Sequence, residues 1–135
     1  MANVNKAIDL DLSGCYREAI AEYELALNDV TPDVNVYINL SFLYWESISE
    51  FVWADAFGIP LRVRDKAFDR YNEILEAAIS KFPDCAELYF WQRYFEHRLL
   101  FEPFYEVDAW EILSKYNSCK DVIYFFLYLF DKKKY

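Results

Sequence analysis

The residues that could perform chemistry are few: one histidine, His97, and three cysteines, Cys15, Cys85 and Cys119. A nucleophilic site would need one of these thiols, or a serine, beside the histidine as its general base. No CxxC or HExxH spacing marks a metal site. A lone histidine on a helix is more often hydrogen-bonded or at the surface than a ligand. We therefore predict no catalytic residue, no metal site and no cofactor, with three reduced thiols packed as small hydrophobes.

Acidic residues occur in pairs such as Asp9 with Asp11 and Glu22 with Glu24. Residues two positions apart diverge around a helix, so these pairs are typical of ordinary solvated charge. With only two glycines the chain also lacks the GxGxxG and GxxxxGK loops that hold phosphates. Catalysis is not predicted. An enzyme subunit, with a site assembled from His97, a cysteine and scattered acids, is a remote alternative.

The net charge of −9 is distributed unevenly along the chain. Residues 1–61 contain ten acidic and two basic residues, a net charge of −8, whereas residues 62–135 contain thirteen acidic and twelve basic residues, a net charge of −1. This balance makes nucleic acid an improbable partner. The acidic half is either a solubilising surface or a negative field that steers a basic protein. The asymmetry favours the second, because solubility does not require the charge to be gathered at one end.

The segment 45–57 places aromatic rings among carboxylates. Both groups attract lysine and arginine side chains, so such a mixture suits a binding hot spot for a basic protein. The alternative is that the rings fill the core beneath an irregular loop. Together with an acid of an earlier helix, the predicted partner-binding residues are Glu22, Trp45, Glu46, Glu50, Phe51, Trp53, Asp55 and Phe57.

The elements that must position these residues are predicted to be helices. The chain is 56% hydrophobic and has two glycines and four prolines, too few turn residues for many short strands. Apolar residues recur at three- and four-residue steps, the period of a helix with one buried face. The pattern predicts a single all-α domain over residues 1–135, of about seven helices in antiparallel hairpins: 2–13, 16–30, 33–48, 62–82, 85–100, 103–116 and one that follows Ser118 and ends in Lys132–Lys134.

Prolines and small polar residues mark the expected helix ends. Residues 51–57 could extend the third helix or form a loop, and Pro83 ends the fourth helix. The expected N-terminal caps are Thr31 with Pro32 as the first helical residue, Asp84 with Glu87 in a capping box, and Ser118 with Asp121.

Apolar patterns distinguish the last three helices. The fifth is apolar nearly all round, which indicates a central position. The final helix is apolar on every side, so it is either buried within the monomer or forms a homodimer through residues 119–131. The sixth is expected to direct inward Val107, Trp110, Ile112 and Leu113.

Residues 14–32 resemble the second helix of a tetratricopeptide repeat and its flanking turns. A glycine permits the tight turn between paired helices, small residues let the helices approach, and tyrosines fill the spaces between repeats. Ala7 falls where the family prefers a small residue on the preceding helix. The matching residues are Gly14, Tyr16, Glu18, Ala19, Ile20, Tyr23, Ala26, Leu27 and Pro32.

The resemblance implies a right-handed stack of helix pairs that binds a protein or peptide in a concave groove, here with an irregular insertion at residues 49–62. Small size, acidity and the lack of catalytic motifs favour a bacterial immunity or antitoxin-type protein that neutralises a basic toxin. A tetratricopeptide-type adaptor or chaperone that binds a peptide is the alternative.

The sequence predicts a cytoplasmic protein. The N-terminus lacks the basic and apolar regions of a signal peptide. The longest apolar run, residues 122–130, is about half of the roughly 20 residues that a membrane-spanning helix needs. No membrane association is therefore expected.

Overall fold

Seven helices account for most of the chain that the computed structural model describes, which comprises residues 4–29, 32–49 and 56–134, with side chains to residue 129. No strand occurs in these ranges, so the all-α prediction is confirmed. Of residues 51–57, predicted as either helix or loop, residues 51–55 lie outside them, so that alternative stays open there. The helices are α1 (Val4–Leu12), α2 (Tyr16–Ala26), α3 (Val34–Ser49), α4 (Leu61–Lys81), α5 (Ala86–Leu100), α6 (Glu106–Lys115) and α7 (Asp121–Lys134).

The chain divides into two compact units, Met1–Glu76 and Ala77–Tyr135. The first contains α1, α2, α3 and most of α4, and the second contains the end of α4 with α5, α6 and α7. The single domain expected from the sequence stays a prediction, and the two units are described separately below.

In the first unit, α1 and α2 pack closely because the residues between them are small. Ala7, Ala19 and Ala26 are completely buried. Gly14 turns the chain between the two helices with φ of +79°, a left-handed conformation that favours glycine. These residues have the packing roles that the tetratricopeptide resemblance implies. Any close helix pair would use them in the same way, so the resemblance itself stays a prediction.

The start of α3 differs from the predicted cap. The helix begins at Val34, and the Asp33 carboxylate accepts a hydrogen bond from the Asn35 backbone N–H at 2.8 Å. Asp33 is therefore the N-cap, and the assignment of Pro32 to the first helical position is wrong. An aspartate side chain supplies the acceptor oxygen that an unpaired N–H at the start of a helix needs. Thr31 lies outside the described residues.

Helix α5 supplies the centre of the second unit's core, as its apolar pattern predicts. Leu88, Phe90 and Phe95 are buried. Phe90 lies at the middle of an aromatic cluster, with ring centroids 5.0 Å from Phe126 and 5.7 Å from Phe104. The buried residues that close this cluster come from three helices and one connecting segment: Ala86, Phe104, Ala109, Ile112, Leu113, Ile123 and Leu127.

The predicted N-caps Asp84 and Ser118 are wrong, because the segments that contain them are hydrogen-bonded to each other. The Asp84 carboxylate accepts the backbone N–H of Asn117 at 3.1 Å, and the Ser118 hydroxyl donates to the Asp84 carbonyl at 2.9 Å. Backbone bonds from Ser118 N to Asp84 O and from Ala86 N to Ser118 O complete this clamp. Helix α5 follows Cys85, which makes no side-chain capping bond.

Helix α6 begins three residues later than predicted, and two of its four predicted inward residues are exposed. The Asp108 carboxylate accepts the Tyr105 backbone N–H at 2.7 Å, which fixes the helix start at Glu106. Ile112 is buried as predicted, as is Leu113. The inward assignment of the other two residues is wrong, because the side chains are exposed by 68% at Val107 and 53% at Trp110.

Candidate functional site

Four of the eight predicted partner-binding residues can be located, and they do not share one environment. Trp45 is buried with 5% exposure, and its ring lies 5.8 Å from that of Phe42. Its position fits the core alternative for this residue. Phe57 is 43% exposed and packs edge-on against Tyr16 with centroids 4.7 Å apart.

The two locatable acids of the predicted set are only partly exposed. Glu22 forms an ion pair with Lys6 at 3.1 Å and is 19% exposed. Glu46 has intermediate burial. The remaining four predicted residues, Glu50, Phe51, Trp53 and Asp55, lie outside the described residues.

An ion pair that the sequence did not indicate joins three helices of the first unit. Arg70 of α4 donates through Nε to the Glu24 carboxylate of α2 at 2.8 Å, and through Nη1 to Glu73 at 3.2 Å. The Tyr44 hydroxyl of α3 donates to the same Glu24 carboxylate at 2.7 Å. No local pattern reveals this contact, because Glu24 and Arg70 are 46 residues apart.

Hydrogen bonding determines the charge state of this cluster. Burial acts to raise the pKa of Glu24, but hydrogen bonds from Arg70 and Tyr44 outweigh it, and the pKa lies below its ordinary value. Burial and the bond to the Glu24 carboxylate raise the pKa of the Tyr44 hydroxyl. Glu24 is therefore an ionised structural group whose negative charge is matched by Arg70.

A second hydrogen-bond network holds another acid of the first unit, Asp11, in a partly buried position. The Tyr23 hydroxyl donates to Asp11 at 2.9 Å, and the Asn39 side-chain amide donates to Tyr23 at 3.4 Å. Burial raises the pKa of Asp11, against the opposing effect of the bond from Tyr23. On the α1–α2 pair, the exposed acids are Asp9 and Glu18.

One side of α4 carries the opposite charge. Arg62, Lys66 and Arg70 follow each other at four-residue intervals and line an open cavity of about 340 Å³ with Tyr44 and Val63. Since the Arg70 charge is matched by Glu24, the positive charge of this surface comes from Arg62 and Lys66, although the unit has a negative net charge.

The second unit exposes a continuous apolar face on α6 and α7. Trp110 of α6 lies against Tyr124 of α7, with ring centroids 6.5 Å apart. The final helix is confirmed, but it spans Asp121–Lys134, beginning two residues later than the 119–131 predicted for the homodimer contact. Its buried side chains, among those described, are Ile123 and Leu127. The exposed apolar residues of this face are Val107, Trp110, Tyr124, Phe125, Tyr128 and Leu129.

The histidine and the three cysteines, the residues that could perform chemistry, lie in surroundings that do not form a reactive site among the described residues. His97 Nδ1 lies 2.7 Å from the Glu102 carbonyl oxygen, so this nitrogen carries the proton and donates. Among the described residues, no group of three or more histidine, cysteine or acidic side chains is placed to hold a metal ion. Cys85 is buried as predicted, but the packing prediction is wrong for Cys15 and Cys119, which are exposed.

Thiol labelling should distinguish these three cysteines. Burial, together with a hydrogen bond to the Cys119 thiol, raises the pKa of Cys85 to about 12. Because the thiolate is the reactive form, Cys85 should react with iodoacetamide at pH 8 much more slowly than an ordinary thiol. Mass spectrometry should find Cys15 and Cys119 modified first, and Cys85 only after urea is added. Equal rates at all three sites in the native protein would contradict the described burial.

No protein-family model matches this chain, and no curated protein or solved structure is significantly similar to it. The tetratricopeptide resemblance therefore depends on the residues of this sequence alone. Within the described part of the chain, no helix is both long enough and apolar enough to cross a membrane.

Proposed function

We propose that this chain is a non-catalytic protein-binding module of the immunity or antitoxin type, which acts in the bacterial cytoplasm by capturing a basic toxin. The observation that carries the proposal is the charge distribution between the two units. Residues 1–76 contain fourteen acidic and six basic residues, a net charge of −8, whereas residues 77–135 contain nine acidic and eight basic residues, a net charge of −1. A concentrated negative field accelerates the encounter with a basic protein.

The α1–α2 pair is the part of the first unit best suited to receive this partner. Its acids Asp9 and Glu18 are exposed, whereas Asp11 and Glu24 are occupied by internal hydrogen bonds. Leu12 on the same pair is 82% exposed and offers an apolar contact beside the charges. Exposed carboxylates steer the encounter, and apolar side chains prolong the bound state.

The proposal is tested with the protein encoded by the neighbouring upstream gene as the candidate toxin. Expression of that protein alone should arrest growth, and co-expression with this chain should restore it. If the neighbour is harmless, or if it remains toxic beside a folded, expressed copy of this chain, the immunity proposal fails.

Charge reversal tests the binding face directly. Asp9→Lys and Glu18→Lys should each lower the association rate constant by roughly two- to fivefold at low salt, because each removes an exposed negative charge that attracts the partner. The matched control is Glu102→Lys, an exposed acid of the nearly neutral second unit, which should have less effect. The differences should shrink near 0.5 M salt, since the Debye length then falls well below about 10 Å. Equal effects at all three positions, measured by stopped-flow or surface plasmon resonance, would contradict the proposed face.

The alternative, an adaptor for an extended peptide, is supported by the close α1–α2 pair with its buried Ala7, Ala19 and Ala26. Such a peptide, if held mainly by apolar contacts, would bind with little dependence on salt. The same rate measurements therefore separate the two functions.

A further inference from the structure

The outward side of α7 carries a regular stripe of side chains. Residues advance by about 100° along a helix, so Asp121, Phe125 and Tyr128 lie on one side, away from the buried Ile123 and Leu127. Asp121 is exposed, and the exposed fraction is 61% for Phe125 and 57% for Tyr128. The next helical position on this stripe, residue 132, is a lysine.

The separations between the members of this stripe read the same from either end of the helix. Its members are separated by four, three and four residues, from Asp121 to position 132. When a second copy of the helix runs antiparallel, Phe125 is opposite Tyr128 and the first-turn acid is opposite the last-turn lysine. The spacing of the stripe and the order of residue types along it are therefore symmetric about its centre, as a two-fold interface requires. Steps of three and four residues also match the seam of a coiled coil.

Apolar residues flank the stripe on both sides. Tyr124 and Leu129 are equally distant from its centre but lie about 140° apart around the helix, one on each side, so in the antiparallel pair each faces the same side of the second copy. Both are exposed, by 49% and 43% respectively. Trp110 of α6 extends the apolar surface on the Tyr124 side. These residues extend the exposed apolar surface beyond the central stripe on both sides.

The size of the surface suits a modest dimer. With aromatic side chains of about 200 Å² each, roughly half exposed, the apolar face presents about 500 Å² per copy. This is near the upper limit for the largest apolar patch of a typical monomer, and a rim of polar contacts would bring it close to the roughly 800 Å² per partner of a standard interface. The second unit has a net charge of only −1, so pairing through it brings little like charge together.

We infer that two copies of this chain associate through the outward stripe of α7, antiparallel and about a two-fold axis between Phe125 and Tyr128. This association is independent of the acidic surface proposed for toxin capture, because it uses only the second unit.

Sedimentation equilibrium on the full chain tests whether the dimer forms. The wild type should shift from monomer to dimer as its concentration rises from about 1 µM to about 1 mM. Phe125→Glu should raise the dissociation constant at least tenfold, because it places a charge in the apolar seam. Phe101→Glu is the matched control: it lies in the same unit but outside the stripe, is 87% exposed, and should behave as the wild type. A wild type that stays monomeric throughout overturns the inference, and so does dimerisation unaffected by Phe125→Glu.

A charge swap tests the antiparallel pairing. Asp121→Lys and Lys132→Asp should each raise the dissociation constant severalfold, because each puts like charges opposite one another at both ends of the interface. The double variant restores opposite charges and should recover most of the affinity. Far-UV circular dichroism must show equal helical content, since both changes oppose the helix dipole. A double variant weaker than both single variants, with the helix intact, overturns the proposed register.

Cross-linking gives a second measure of the register. In a background with Cys15→Ser and Cys119→Ser, a mixture of Phe125→Cys and Tyr128→Cys chains should form disulfide-linked heterodimers under glutathione redox buffer, in which oxidised glutathione is the oxidant. The two thiols lose their protons and two electrons to it, yielding one disulfide and two reduced glutathione molecules. Each variant alone should cross-link less. Preferential homodimers of Phe125→Cys would indicate parallel pairing and contradict the inference.

Discussion

Replacement of Phe90 by alanine is expected to lower the free energy of unfolding by about 3–5 kcal/mol, the cost of removing a buried aromatic ring from a packed core. The ring is 2% exposed, and it contacts Trp91 at 5.1 Å and Phe126 at 5.0 Å between centroids. Phe104 closes another side at 5.7 Å. Because these neighbours belong to several elements of the second unit, they cannot all move inward to fill the cavity.

Urea denaturation, followed by circular dichroism at one fixed protein concentration, measures this loss. The matched control is Phe101→Ala, which deletes the same ring from a side chain that is 87% exposed and should change stability by less than about 0.5 kcal/mol. Similar losses for the two variants would show that the aromatic cluster does not stabilise the unit in the described way. Since Phe126 belongs to α7, Phe90→Ala should also weaken the proposed dimer.

Removal of the Glu24 carboxylate is the second large effect. Glu24→Ala is expected to cost about 2–3 kcal/mol, because it leaves the partly buried guanidinium of Arg70 and the Tyr44 hydroxyl without their shared acceptor. Glu24→Gln keeps one acceptor oxygen and should cost less, about 1–2 kcal/mol. Glu73→Ala is the control, since Glu73 bonds the same arginine from a side chain that is 62% exposed. Such an exposed ion pair contributes less than about 1 kcal/mol.

The same contact predicts a dependence of stability on pH. The pKa of Glu24 is lower in the folded than in the unfolded chain, so the unfolded chain binds the proton more tightly. Its contribution is therefore fully present above about pH 4.3, the ordinary pKa of glutamate, and is lost as the pH falls through the folded value. Asp11 acts in the opposite sense, because burial raises its pKa.

Unfolding of the wild type and of Glu24→Gln between pH 3 and pH 7 tests the assignment. The difference in stability between them should be constant near neutral pH and should decrease as the pH falls below about 4.3. Because Asp11 is present in both proteins, its effect cancels in this difference. A difference that does not change with pH would mean that the Glu24 charge is not what stabilises the contact.

The helices were predictable because their information is local. Apolar residues at three- and four-residue steps predict a helix over 62–82, and α4 spans Leu61–Lys81. The same pattern predicts 85–100, where α5 spans Ala86–Leu100. Each residue of such a pattern lies within one turn of the next, so the buried face is encoded without reference to the rest of the fold.

The exact helix ends depend on contacts that are not local. Asp84 has the residue type and spacing of a cap, but its carboxylate binds Asn117 and its carbonyl accepts the Ser118 hydroxyl. Both partners are more than thirty residues away. Several segments can compete for one polar side chain, and only the folded chain determines which of them it meets.

The candidate site also has features that the sequence predicts and features that only the tertiary structure decides. Composition and the order of charges along the chain establish the acidic first half, and the residue spacing of the last helix establishes its symmetric stripe. Tertiary structure alone decided that Trp45 is buried, that Trp110 is exposed and that Arg70 neutralises Glu24. Periodicity identifies the side of a helix that is apolar, but burial depends on which neighbour covers it, and that neighbour comes from a distant part of the chain.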